Sequence, residues 1–221
     1  MVRRDLLENK MAFNWQTQTL AFVCYFLYES FFEWFFHRYL FHSPALIKAT
    51  YRAHHLVHHQ KYKYEAHLYE HREGEEKGHI SMDWFALPLF LGFHLPIFAA
   101  IQWITGIPSL WGGIASVVAY YAVYEYFHYY MHVPSSFWFE KTGIFKYVKE
   151  HHRIHHRHMQ KNYNVFFPLA DLCLGTYISA SQVEVWKTQA KNKETANSPV
   201  EEKPLSAPKI PTKIKTVLEG E

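Results

Sequence analysis

Seventeen of the 221 residues are histidine, and twelve of them stand in four clusters. These read His37-Arg-Tyr-Leu-Phe-His42, His54-His55-Leu-Val-His58-His59, His128-Tyr-Tyr-Met-His132 and His151-His152-Arg-Ile-His155-His156. On a helix, residues three and four apart share a face, with Cβ atoms about 5–6 Å apart. His55/His58/His59, His128/His132 and His152/His155/His156 would therefore each turn two or three imidazoles in one direction, which is chelating geometry. His37 and His42 are five apart, roughly 140° around an α-helix of 3.6 residues per turn, so the helix must end or unwind between them. Ser43-Pro44 supplies a break there. One HxxxH pair on an aromatic helix is as easily packing as ligation, but four clusters that share one side of a membrane are not independent accidents. An all-nitrogen donor set without thiolates suits iron, zinc, copper or nickel rather than magnesium or calcium. Ten imidazoles exceed what one ion can use, so two neighbouring metal ions are the economical expectation.

Such clusters need rigid elements to carry them, and the charge distribution says where these lie. From Trp84 to Tyr124 there is no Asp, Glu, Lys or Arg, a run of 41 residues, roughly twice the 20 that one helix needs to cross a bilayer. Thr105-Gly106-Ile107-Pro108-Ser109 is a turn signal near its middle and divides it into a hairpin of spans at about 84–104 and 109–130. Pro88 and Pro96 should kink the first arm, which neighbouring helices tolerate in a membrane. A first span is expected at about 19–37, apolar apart from Glu29 and Glu33, which need partners. Residues 1–18 form a polar N-terminus too mixed in charge for a cleaved signal peptide. The stretch 187–221 lacks aromatics, is rich in Lys and Glu and holds four prolines, so disorder is expected there. The fold class is thus all-α: polytopic membrane helices, three to four spans within 19–186, with a histidine-rich helical cap. Lysines and arginines crowd both 38–83 and the segment after the hairpin, which places both on the cytosolic side.

Other classes fall away. Cys24 and Cys173 cannot make a disulfide scaffold, and no CxxC supplies a thiolate zinc frame. A net charge of +3 with no basic-plus-aromatic module gives no nucleic-acid partner.

The four clusters resemble the pattern HX3-4H, HX2HH, HX3H, HX2HH of the fatty acid hydroxylase/sterol desaturase superfamily of integral membrane di-iron oxidases. The resemblance covers about Glu33 to Thr176, including a closing segment from Lys161 to Thr176 with its Asp171 and Gly175-Thr176. The HX4H form of the first box looks more like the fatty acid 2-hydroxylase and carotenoid hydroxylase branches than the sterol oxidases. The resemblance implies metal ligands at His37, His42, His55, His58, His59, His128, His132, His152, His155 and His156, holding two iron ions, with zinc able to occupy the site in purified material. It implies O2 as co-substrate and a lipid substrate, first a fatty acyl chain and then a carotenoid or sterol, with hydroxylation or desaturation as the outcome. No cytochrome b5 domain is fused to this sequence, so electrons are expected from a separate donor of cytochrome b5 or ferredoxin type. The membrane would be the endoplasmic reticulum in a eukaryote and the inner membrane in a bacterium. The competing, non-enzymatic readings are a membrane metal-ion transporter, which should place its ligands near the bilayer midplane, and a bis-histidine heme carrier.

Glu33 lies four before His37 and Glu125 three before His128, so each could hydrogen-bond a ligand imidazole from behind. Asp171 is a candidate of the same kind. His54 and His151 each duplicate a cluster edge and could exchange register with their neighbours. His67, His71 and His79 read as a solvated loop, His158 as peripheral, and His94 as bonded to a backbone group freed by Pro96.

Overall fold

The computed structural model describes residues 13–77 and 79–197, and among these all regular structure is helical, with no strand. Helix α1 (Trp15–Phe36) begins where the Asn14 side chain accepts the Thr17 amide at 3.1 Å, satisfying one of the N–H groups a helix start leaves open. It passes directly into a π-helical turn, His37–Phe41. Short helices α2 (Lys48–Tyr51), α3 (His59–Lys61) and α4 (Ala66–Tyr69) follow, with a second π-helical stretch, Arg52–His58, between the first two. The hairpin is α5 (Ala86–Thr105) and α6 (Leu110–His132), joined where Gly106 takes a left-handed φ of 67° and ends α5. Pro88 falls in the first turn of α5, where no intrahelical N–H bond is lost, and Pro96 lies inside the helix. Helices α7 (Gly143–Arg157) and α8 (Leu169–Cys173) complete the unit that ends at Val183.

A second unit begins at Glu184, within helix α9 (Ala180–Asn197). This helix runs into the stretch for which disorder is expected from Lys187 onward. Its Ala, Gln, Glu and Lys are strong helix formers, and Glu184 pairs with Lys187 at 2.5 Å. Residues 1–12 and 198–221, the rest of the polar N-terminus and of the tail, lie outside the described residues.

Helix α1 packs along α6, and α6 along α5. The close approach of α1 and α6 depends on Gly112: a Cβ there would meet the Gln18 carbonyl oxygen, and would lie 2.9 Å from Ala21 Cβ. Gln18 ties the same crossing, its Oε1 accepting the Gly112 amide at 2.6 Å and its Nε2 donating to the Pro108 carbonyl at 2.5 Å. Gly112→Ala should therefore overpack the crossing, costing about 1–3 kcal/mol, read as a lowered Tm with unchanged helix content.

Polar groups face inward and apolar ones outward. Gln18, Glu29, Ser30, Glu33, His94 and Ser116 are buried among the three long helices, whereas Leu20, Leu27, Phe35, Phe93, Ile101, Ile104 and Trp111 are exposed. By length and composition one helix among the described residues, Ala86–Thr105, is apolar enough to cross a membrane. α1 and α6 reach the length, but Glu29 and Glu33 in one and the Tyr- and His-rich second half of the other lower their hydropathy.

Candidate metal centre

The two π-helical turns explain how histidines five apart come to share a face. A π turn closes hydrogen bonds from residue i to i+5, so it does for a spacing of five what an α turn does for three and four. The His42 amide bonds the His37 carbonyl at 3.0 Å, and the two rings stack with centroids 5.0 Å apart. The same winding through Arg52–His58 lets the His59 amide bond the His54 carbonyl. His54 and His59 then point together, Nε2 to Nε2 3.1 Å.

These turns, with one side chain from α7, assemble a first group of His37, His42, His54, His59 and His155. The Nε2 atoms of His37 and His54 are 2.9 Å apart, those of His42 and His37 3.2 Å, and those of His42 and His155 2.9 Å. A second group comprises His58, His132, His152 and His156, with Nε2 of His152 standing 3.3 Å from that of His132 and 3.0 Å from that of His156. His128 is buried against it, its ring 4.9 Å from His58 and 4.8 Å from His152. The groups adjoin: the His59 and His156 rings are 4.2 Å apart.

Of the ten ligands the resemblance implies, eight therefore come together around two points, with His128 at the edge of the second and His54 in the place expected of His55. His55 stands at the rim of the first group, half-buried, stacked on Tyr51 with its Nδ1 2.9 Å from His42 Nδ1. His54 occupies the inward position because the helix there is wound as π rather than α. His151 turns away from both groups toward Asp171, 3.2 Å, and Tyr177.

Four imidazoles are oriented from behind by backbone carbonyls. Nδ1 of His37 donates to the Tyr163 carbonyl, that of His155 to Lys161 at 2.7 Å, that of His132 to Tyr69 at 2.8 Å and that of His156 to Tyr62 at 2.5 Å. A carbonyl only accepts, so each Nδ1 carries the proton and each Nε2 is left with a bare lone pair directed inward. In the second group His152 has one proton to offer two such lone pairs, and both nitrogens of His58 are buried without a hydrogen-bond partner. Converging lone pairs without protons call for a cation. The spacing agrees: nitrogens 2.0–2.1 Å from one metal at tetrahedral or octahedral angles stand roughly 2.8–3.4 Å apart. The residues present thus fit two imidazole-bound transition-metal ions.

Electrostatics favour the same species. Burial, reinforced by the neighbouring imidazoles, holds His58, His59, His152 and His156 well below the ordinary value of 6.5, and burial lowers His155 to about 4. They are neutral near pH 7, the form that binds metal.

The acids behave differently from their spacing. Glu33 does not bond His37; its Oε1 accepts the Val165 amide at 2.6 Å and its Oε2 the Tyr120 hydroxyl at 2.6 Å. Glu125 accepts the Met82 amide at 3.1 Å. His94 donates to the Phe90 carbonyl at 2.7 Å within its own helix, not to the Gly92 carbonyl that Pro96 frees, and its Nε2 lies 3.4 Å from Glu29. The groups that orient the imidazoles, carbonyls of Lys161, Tyr163, Tyr62 and Tyr69, are backbone, so no residue type in the sequence marks them.

Two apolar cavities reach the histidines. One of about 170 Å³ is lined by His54 and His128 together with Phe41, Phe85, Leu89 and Phe90. A smaller one, of about 40 Å³, runs from His37 between α1, α5 and α6 to Glu29, past Phe32, Val117 and Tyr121. Phe36, Phe41, Met82, Phe90 and Tyr124 line both.

Against known proteins, residues 22–176 match the model of one family, described as fatty acid hydroxylase. No curated protein and no solved structure gives a significant match.

Proposed function

This chain belongs to the fatty acid hydroxylase family, and from that premise we propose that it is an oxygen-dependent di-iron lipid hydroxylase acting on a fatty acyl chain. The observation that carries the reading is the pair of adjacent, buried histidine groups opening onto an apolar cavity. His37, His42, His54, His59 and His155 would hold one metal, and His58, His132, His152 and His156, with His128 beside them, the other. When bound, the metals supply the dioxygen activation needed to oxidise an unactivated C–H bond. The protein's own part is to keep the imidazoles neutral and aimed, and to bind the chain. Phe36, Phe41, Phe90 and Tyr124 would clasp the alkyl chain beside His54 and His128 and exclude water from the reacting carbon, leaving the polar head of the lipid outside.

Hydroxylation consumes O2, two electrons and two protons for each C–H converted, so the reaction requires a reductant, for which a donor of cytochrome b5 or ferredoxin type is proposed. The outward apolar faces of α1, α5 and α6, with polar groups turned inward, support a bundle of three spans seated in lipid. Its histidine-bearing ends would face the cytosol, where the Lys and Arg residues of 38–83 and 141–161 lie. A transporter would set its ligands at midplane depth, whereas both groups gather where α1 and α6 end.

The test compares lipids from cells expressing the wild type and His155→Ala, grown aerobically with iron and supplied with saturated acyl lipids. A product heavier by one oxygen, seen only with the wild type, is expected. A product lighter by two hydrogens would replace hydroxylase with desaturase. Identical lipids from a folded, two-iron, reductant-supplied protein would refute an oxidase of acyl chains.

A further inference from the structure

Outside the nitrogen groups, one buried carboxylate is joined to a histidine of the first group through a single peptide unit. Residues 161–165 form an irregular strap, so hydrogen bonds rather than a helix fix its place. Its Tyr163 carbonyl accepts from His37 Nδ1, and the N–H of the same peptide unit, that of Asn164, donates to Asp171 Oδ2 at 2.7 Å. The other oxygen, Asp171 Oδ1, accepts the Tyr163 amide at 2.9 Å and the Thr176 hydroxyl at 2.6 Å. Two peptide units back, a second link reaches His155 by way of Thr176 rather than the carboxylate itself. The carbonyl of that unit, of Lys161, accepts from His155 Nδ1, and its N–H, of Asn162, donates to the Thr176 carbonyl at 3.0 Å. Asp171 is fully buried, so these bonds are not shared with bulk solvent.

A carboxylate that bonds a metal-binding histidine directly fixes its tautomer and raises its basicity. Here an amide stands between the two. Hydrogen bonds in series polarise one another in a low-dielectric interior, so the anionic charge of Asp171 strengthens the carbonyl that holds His37. The second group lacks this device: His132 and His156 are held by carbonyls of Tyr69 and Tyr62, which Asp171 does not touch, and the one α7 side chain Asp171 Oδ2 meets, His151 at 3.2 Å, turns away from both groups.

We propose that Asp171 is a positioning residue for the metal at the His37/His42/His54/His59/His155 group alone, acting on His37 through the Tyr163–Asn164 peptide and on His155 through Thr176, whose hydroxyl it accepts and whose carbonyl holds the Asn162 amide. The inference rests on the two-metal reading above and adds that the two metal positions are controlled separately. Glu33 grips the end of the same strap, at the Val165 amide and the Asn164 side chain (2.9 Å), and belongs to the same device.

The test titrates purified, metal-free full-length protein with Zn²⁺ against a competing chelator, for the wild type, Asp171→Asn and Glu33→Gln. The wild type should take two tight equivalents. In Asp171→Asn one equivalent should weaken by about 10–100-fold, the range for loss of groups that orient a ligand, while the other keeps its wild-type affinity. Glu33→Gln should weaken the same equivalent and provides the measurement if Asp171→Asn fails to fold. Equal weakening of both equivalents would mark a general structural role and overturn the proposal, as would two unchanged equivalents. A wild type that takes fewer than two removes the premise and the proposal together, and it does so before any substitution is read.

Discussion

Replacing His54 by alanine should lower product formation by at least about 100-fold, because losing groups that only orient a metal-bound histidine already costs 10–100-fold and His54 itself faces the metal position. Its Nε2 lies 2.9 Å from that of His37 and 3.1 Å from that of His59, so it stands among five nitrogens that converge on one point. His55→Ala should reduce turnover by only a few-fold, since its ring lies at the rim against Tyr51 and contacts the group through His42 Nδ1. Metal content separates the causes: the His54 variant should carry one metal fewer per chain, and the His55 variant should keep both. The opposite ranking would mean that the segment 52–58 is wound as an ordinary α-helix when metal is bound, with 55, 58 and 59 as the inward set.

That pair of substitutions marks where the sequence stops being readable. The α-helical spacing of three and four holds along α7, where His152, His155 and His156 are all buried. Even there, nothing in the spacing says that His155 serves one group and its two neighbours the other. That division depends on what comes to meet α7, namely the π turns at His37–Phe41 and Arg52–His58. The need for an unwinding between His37 and His42 can be deduced from a separation of five, but its form, an i to i+5 turn, cannot. Across 54 to 59 a perfectly good α-helical alternative exists, and only the packed structure chooses against it.

The acids show a second limit. Glu33 stands one helical turn before His37, so a local bond is the natural expectation. The structure spends that carboxylate on a backbone amide 132 positions away in the chain. Unpaired N–H groups of an irregular strap have few other ways to be satisfied once buried, and their demand outweighs a histidine that already has a carbonyl. The hairpin was more legible, since an uncharged run and a Gly-Pro turn depend on neighbours in sequence alone: Gly106 ends α5 within a residue or two of where composition sets the break.

Acid should destabilise the metal-free protein steeply, and the sign follows from the buried imidazoles. In the unfolded chain these histidines titrate near 6.5; in the folded chain His155 titrates at about 4, and His58, His59, His152 and His156 lie well below 6.5, chiefly because burial penalises the charged ring. Above pH 7 both states are neutral, and these groups make no difference to stability. As the pH falls below 6.5 the unfolded state takes up protons that the folded state refuses, so each such histidine removes up to about 1.4 kcal/mol of stability per pH unit. For His155 the loss continues until pH about 4 and then levels off, because the folded protein protonates as well. With several histidines acting together, the Tm of the metal-free protein should fall by tens of degrees between pH 7 and pH 5, since about 1 kcal/mol shifts the Tm of a domain of this size by 2–4 °C. His155→Ala should shallow that dependence by one proton between pH 6.5 and 4 while leaving stability above pH 7 governed only by the lost packing. Metal should shift the whole curve to lower pH, because ions and protons compete for the same Nε2 lone pairs. A metal-free protein whose Tm is flat or rises from pH 7 to 5 would show that the imidazoles are already charged or solvated in the folded state, and that the two groups are not the closed, neutral nitrogen clusters that metal binding requires.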